Sequence, residues 1–301
     1  MKNRLIWALF LGLCGTSLEG QTRLHFIDSV SGDPVPYVNI TFGENEGKYT
    51  NEDGVVLIPE GVQTIYTSHI TYESLRLDLD SIQDSQVTLT PVVAELRPAI
   101  IVPKSLKKKT IGYASVKGES TVGGRNGFCI AEYFGFSPYW SNAPIISAVN
   151  LSLETVNLKR EIKTTIGDKE YTDGIMHVAK LRIDLRSVDP STGGPGGSLI
   201  GGGVIYSLKD KFNLNLHKLC KVSLPEPEVF PEGGLFVVVE WIVTDDVRVQ
   251  DSVSPSVWTV PSENSSSSWV KWPLGTAWRK NVKGTYDRYE KSFCIGLDLM
   301  Q

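Results

Sequence analysis

Apolar residues in this chain fall in short runs broken by clusters of Gly, Pro, Asn and Asp, a pattern that predicts strands throughout. From Thr22 to about Thr90 the breaks come often. Gly32, Asp33, Pro34 and Pro36 precede the run Tyr37 to Phe42, and Asn51, Glu52, Asp53 and Gly54 form a turn. Asn and Asp bond their own backbone there, and Gly accepts a positive φ. Val55 to Ile58, Thr64 to Ile70, Leu75 to Leu79 and Val87 to Leu89 follow as strands, with no space for a helix of ordinary length. The expectation is a small β-sandwich.

The same residues carry a family resemblance. Gly32-Asp33-Pro34-Val35-Pro36-Tyr37-Val38-Asn39-Ile40, the Thr50 to Gly54 turn and the Ile65 to Tyr72 strand resemble the carboxypeptidase-like regulatory domain of secreted and outer-membrane proteins of Bacteroidetes. The family usually has Gly where Thr71 stands. The resemblance implies a seven-stranded transthyretin-like sandwich, and it implies no peptidase activity.

Alternation of period two is clearest further on. Ala179, Leu181, Ile183 and Leu185 share one face and Lys180, Arg182, Asp184 and Arg186 the other, so one face is read as core and the other as wet. Val149, Leu151 and Leu153 repeat the pattern, and Phe293, Ile295, Leu297 and Leu299 line a final strand. Leu235 to Val243 is apolar on both faces, as in a strand covered on both sides. Phe128 to Leu299 therefore reads as a larger, jelly-roll-like β-sandwich. It resembles, less specifically, a domain that follows the regulatory-like domain in some Bacteroidetes proteins. Between the two, Pro91, Pro98, Pro103 and a lysine-rich stretch read as a connector. The predicted organisation of this all-β chain is a signal peptide at 1–20, the regulatory-like domain at 21–97, a linker at 98–122 and the second sandwich at 123–301.

A length of 301 residues fits two cores better than one. Lys2 and Arg4, the apolar run Leu5 to Leu13 and the small residues Gly15, Thr16, Ser17 and Gly20 have the layout of a secretory signal. Export to the periplasm or cell surface follows, with peripheral association with the outer membrane open. A net charge of −4 argues against nucleic acid as a partner. Charge is uneven: the first sandwich is acidic, and Arg97, Lys104, Lys107, Lys108, Lys109 and Lys117 follow it.

Candidate chemistry is sparse. His69 and Glu73 are spaced for ligation on a helix, but the segment reads as strand and turn, so no zinc site is expected. His217 and Cys220 fall on opposite faces of one strand pattern. Gly193 to Gly203 lacks the Lys-Ser/Thr of a phosphate loop and reads as a flexible hairpin loop. No cofactor and no metal are expected, and the reactive groups read as too scattered to cooperate in catalysis. Glu240, on the apolar strand, requires a partner, with Arg182 or Arg186 expected across an adjacent strand. Asn51, Asp53 and Gly54 are read as structural. Cys129 and Cys294 open and close the second sandwich, where a disulfide between them and buried free thiols are both open. Phe136, Tyr139, Trp140, Trp258, Trp269, Trp272 and Trp278 are candidates for an aromatic platform that stacks on sugar rings. The functional expectation is a non-catalytic envelope protein that binds a glycan, a peptide or a protein partner. A hydrolase with an unrecognised site and a small outer-membrane barrel are the alternatives.

Overall fold

The computed structural model describes residues 21–301 except 43–46, 70, 92–105, 114–117, 124–126, 141, 156–160, 167–168, 209–215, 245–251, 263–266, 273–276 and 282–290. The signal-like segment and much of the stretch read as a connector lie outside the described residues. The fold is all-β, with two sandwiches.

The first sandwich uses β1 (Thr22–Asp28), β2 (Asn39–Thr41), β3 (Gly47–Tyr49), β4 (Val55–Ile58), β5 (Thr64–His69), β6 (Tyr72–Asp78) and β7 (Gln86–Leu89). They form one sheet in the order β4-β1-β7 and another in the order β3-β2-β5-β6. Alternate residues, including Leu24, Phe26, Ile40, Val56, Ile58 and Ile65, point between the sheets and are fully or nearly fully buried. Asn51 shapes the turn before β4: its Oδ1 accepts from the N–H of Asp53 at 3.0 Å and of Val55 at 2.8 Å. Gly54 completes that turn at φ +71°.

The second sandwich begins within the stretch read as a linker. β8 (Lys108–Gly112) and β9 (Ser120–Gly123) are followed by β10 (Cys129–Phe134), β11 (Ile145–Thr155), β12 (Glu161–Ile166), β13 (Lys169–Val178) and β14 (Lys180–Val188). Next come β15 (Pro195–Ser198), β16 (Val204–Tyr206), β17 (Leu216–Val229), β18 (Leu235–Ile242), β19 (Ser252–Ser254) and β20 (Ser256–Pro261). β21 (Ser268–Lys271), β22 (Arg279–Lys280), β23 (Lys291–Phe293) and β24 (Ile295–Met300) complete the set.

One sheet runs β15-β14-β18-β10-β21-β22, with β16 also on β14. The facing sheet runs β23-β20-β11-β24-β8, with β17 on β11 and β9 on β20. β12, β13 and β19 form a third, smaller sheet. Ile130, Leu181, Ile183, Val237, Val239 and Trp241 meet Val149, Leu151, Ile295 and Leu297 in a continuous apolar core. Trp241 is fully buried, and its Nε1–H donates to the Pro255 carbonyl at 2.6 Å, which satisfies the one polar atom of the ring.

The structure corrects three expectations. The linker boundary fails because β8 pairs with β24 and β9 with β20; β8 is a mostly exposed edge strand, so its lysines never show an apolar face. The Gly193 to Gly203 stretch contains β15, hydrogen-bonded to β14, and leads into β16 on the same strand. The face of β14 read as wet is covered: Arg182 is 7% exposed and Asp184 1%. Arg182 is covered in part by Tyr37 of the first sandwich, whereas Asp184 is held by Arg186 and Ser198 of its own sandwich, with Gly203 close against both.

Candidate functional site at the junction of the sandwiches

A row of four side chains crosses the outer face of the large sheet. Arg182 on β14 is in register with Glu240 on β18, Glu240 with Cys129 on β10, and Cys129 with Lys271 on β21. Residues at one register in neighbouring strands project to the same side. Since Ile130, Leu181, Val239 and Trp241 fill the core, this row projects the opposite way, toward the first sandwich.

The first sandwich docks on the row through polar contacts. Arg182 Nη1 donates to Glu240 Oε2 at 3.1 Å, and its Nη2 donates to the Tyr37 carbonyl at 3.0 Å. The Tyr49 hydroxyl donates to Glu240 Oε1 at 2.5 Å. At the rim, Lys180 Nζ donates to the Tyr37 hydroxyl at 2.6 Å and ion-pairs with Glu52. Tyr37 and Tyr49 also pack on Ile242 at the end of the outer face of β18, whose Phe236 and Val238 pack instead with Ala131 and Trp269 of the second sandwich. Tyr37 holds a φ of +59°, a conformation that favours glycine, and the residue so held supplies both a carbonyl and a hydroxyl to the junction.

Beside these contacts lies a cavity of about 150 Å³. Asn39, Ser68 and His69 line it from the first sandwich; Asn39 and Ser68 are in register on β2 and β5. The second sandwich contributes the cations Arg182, Arg186 and Lys271, the carboxylates Asp184 and Glu240, and the less polar Cys129, Val238 and Trp278. Arg186 Nε donates to Asp184 Oδ2 at 2.9 Å, and Ser198 Oγ donates to Asp184 Oδ1 at 2.7 Å. Lys271 has no ion-pair partner among the described residues.

The expectation that reactive groups are too scattered to meet is overturned here, because an imidazole, a thiol and two carboxylates share one cavity. Their protonation is set by burial and by neighbours. Burial, reinforced by the Arg182 charge, lowers His69 to about 4, and its Nδ1 accepts the Thr71 N–H at 3.3 Å. Burial and the Glu240 charge push the Cys129 thiol up to about 12. Burial raises Asp184 above the usual carboxylate range. Burial also opposes the ionisation of Glu240, but the Arg182 charge and the Tyr49 hydroxyl outweigh it and hold that carboxyl low. At neutral pH the cavity therefore contains a neutral imidazole and a protonated thiol.

The other candidates are dispersed. Cys129 and Cys294 are separate, buried thiols: Cys129 is on β10, Cys294 lies between β23 and β24 of the facing sheet, and Cys129 projects away from the core between the sheets. The aromatic residues do not make one platform. Phe136 and Trp140 pack edge to face on Phe230, at 6.2 and 5.0 Å between ring centroids, while Tyr139 nearby is 93% exposed. Trp258 is buried on β20 of one sheet, and Trp269 is buried on β21 of the other. Trp272 packs against Phe128 at 5.3 Å, and only Trp278 lines the cavity. Glu73 is exposed, away from the cavity that His69 lines, and the His217 side chain lies outside the described residues.

Asn39, Ser68, Lys271, Tyr37 and Tyr49 were not legible as site residues. The one signal was Glu240 itself, a lone carboxylate on an apolar strand. No protein-family model, curated protein or solved structure matches this chain.

Proposed function

We propose that this is an exported, non-catalytic protein of the bacterial cell envelope that binds a glycan, a peptide or a protein partner in the cleft between its two sandwiches. The first sandwich is taken as the regulatory-like, transthyretin-type domain and the second as a jelly-roll type, on the resemblances and patterning given above. The observation that carries the binding reading is the cavity itself, walled by polar side chains from both sandwiches and by the half-buried Trp278. Sites that bind small groups combine such a concave, partly apolar wall with a few convergent polar atoms. The apolar core between the sheets of the second unit favours a sandwich over a barrel with a polar lumen.

Hydrogen exchange on the mature protein tests this, run with and without fractions of envelope extract. A ligand-bearing fraction should slow exchange along β5, β14 and β18. Protection confined to surfaces away from these strands would overturn the cleft as the site.

One observation favours a second reading, hydrolysis: His69 and Cys129 share the cavity. A thiolate–imidazolium pair is strongly disfavoured when the thiol sits near 12 and the imidazole near 4. Rapid alkylation of Cys129 by iodoacetamide at neutral pH, lost in His69→Asn, would favour the hydrolase. An unreactive thiol favours binding.

A further inference from the structure

Resting on the cleft reading, we propose that the junction cavity binds a small monocarboxylate, with the carboxylate on the Lys271 ammonium and a compact apolar body against Trp278 and Val238. Three features of the wall point to this class. The cations Arg182, Arg186 and Lys271 outnumber the carboxylates Asp184 and Glu240 by one. Two of the cations are ion-paired, Arg182 with Glu240 and Arg186 with Asp184, and Lys271 has no ion pair among the described residues, so the excess positive charge of the wall is assigned to Lys271. A single negative charge on the ligand completes the pairing, whereas a dianion would leave an excess of negative charge in a partly desolvated site.

Neutral donors and size sharpen the class. Because Thr71 donates its N–H to His69 Nδ1, the ring proton resides on Nε2, which makes the imidazole a second donor at the wall. Ser68 and the Asn39 amide add donors from the same side. A volume of about 150 Å³ exceeds what a bare carboxylate fills, and it matches a ligand on the scale of a benzene ring. Cys129, Val238 and Trp278 give the remaining space an apolar wall, suited to a short aliphatic body.

The probes are butyrate and N-acetylalanine, titrated by calorimetry and by tryptophan fluorescence, with N-acetylalaninamide and inorganic phosphate for comparison. Both carboxylates should bind and perturb an emission that Trp278→Phe removes. The neutral amide should bind roughly tenfold or more weakly, as loss of a charge-assisted hydrogen bond implies. Lys271→Met should weaken the carboxylates by a similar factor, while Lys271→Arg retains them within a few-fold. Lys271 is only partly buried, so both variants leave the core intact. Equal affinity for acid and amide, no response to Lys271→Met, or a preference for phosphate would overturn the carboxylate class. If no carboxylate binds at tens of millimolar while envelope extract still protects the cleft strands, the ligand class falls and the cleft reading stands. If the cleft strands also stay unprotected, both fall.

Discussion

Arg182 and Glu240 face each other across β14 and β18, and the guanidinium that holds this carboxylate at 3.1 Å also reaches out of its own sandwich to the Tyr37 carbonyl. One side chain thus neutralises a buried charge and fixes how the two units dock.

Removing that guanidinium should be costly because it strands Glu240. Arg182→Met is expected to lose about 3–5 kcal/mol of stability, the usual cost of breaking a buried pair from one side. Adding Glu240→Gln should restore part of it, since no uncompensated charge then remains. Urea denaturation of the wild type and the two variants measures both effects, and equal stability of Arg182→Met and wild type would show that the pair is not holding the junction.

His69 makes the junction sensitive to acid. Its folded value near 4 lies below the unfolded value near 6.5, so the unfolded chain takes up a proton that the folded chain resists. Stability is unaffected by this group above pH ~6.5, falls as the pH drops toward 4, and ends about 3 kcal/mol lower. His69→Asn should flatten that part of the stability profile. A slope unchanged by the substitution would place the acid sensitivity elsewhere.

Glu132 gives the opposite sign. It is buried between the sheets of the second sandwich, where its Oε2 accepts from Ser268 Oγ at 2.6 Å and from the Phe293 N–H at 3.0 Å. Burial raises its pKa despite those bonds, so the folded chain keeps the proton longer than the unfolded chain. Stability is lost as pH rises from the ordinary carboxylate range through the raised folded value. Glu132→Gln, of the same shape, should match the wild type at low pH and exceed it at neutral pH in chemical denaturation.

Two glycines separate conformational cost from steric cost. Gly32 and Gly54 have φ of +76° and +71°, but a Cβ at Gly32 would meet nothing within 4 Å while one at Gly54 would sit 2.6 Å from the Phe26 carbonyl oxygen. Gly32→Ala should cost about 1 kcal/mol, the left-handed penalty alone. Gly54→Ala should cost more than about 2 kcal/mol, because backbone must also move. Thermal melts of the two variants side by side distinguish the contributions.

The all-β class, the Asn51 to Gly54 turn and the need of Glu240 for a basic partner across a neighbouring strand are legible in the residues alone. These are local or period-two properties: turn residues set their own backbone, and alternation sorts side chains onto two faces. What covers each face depends on contacts between residues far apart in the chain. Arg182 and Asp184 alternate with apolar neighbours as exposed residues do, and nothing nearby in the chain announces that Tyr37 and Tyr49 lie over this sheet. The lysine-bearing β8 escaped because it is a mostly exposed edge strand that turns a single apolar residue, Ile111, to the core. The cavity was hidden for the same reason. Its wall unites Asn39, Ser68 and His69 with Cys129, Arg182, Glu240 and Lys271, and cross-strand register and the docking of two units bring them together.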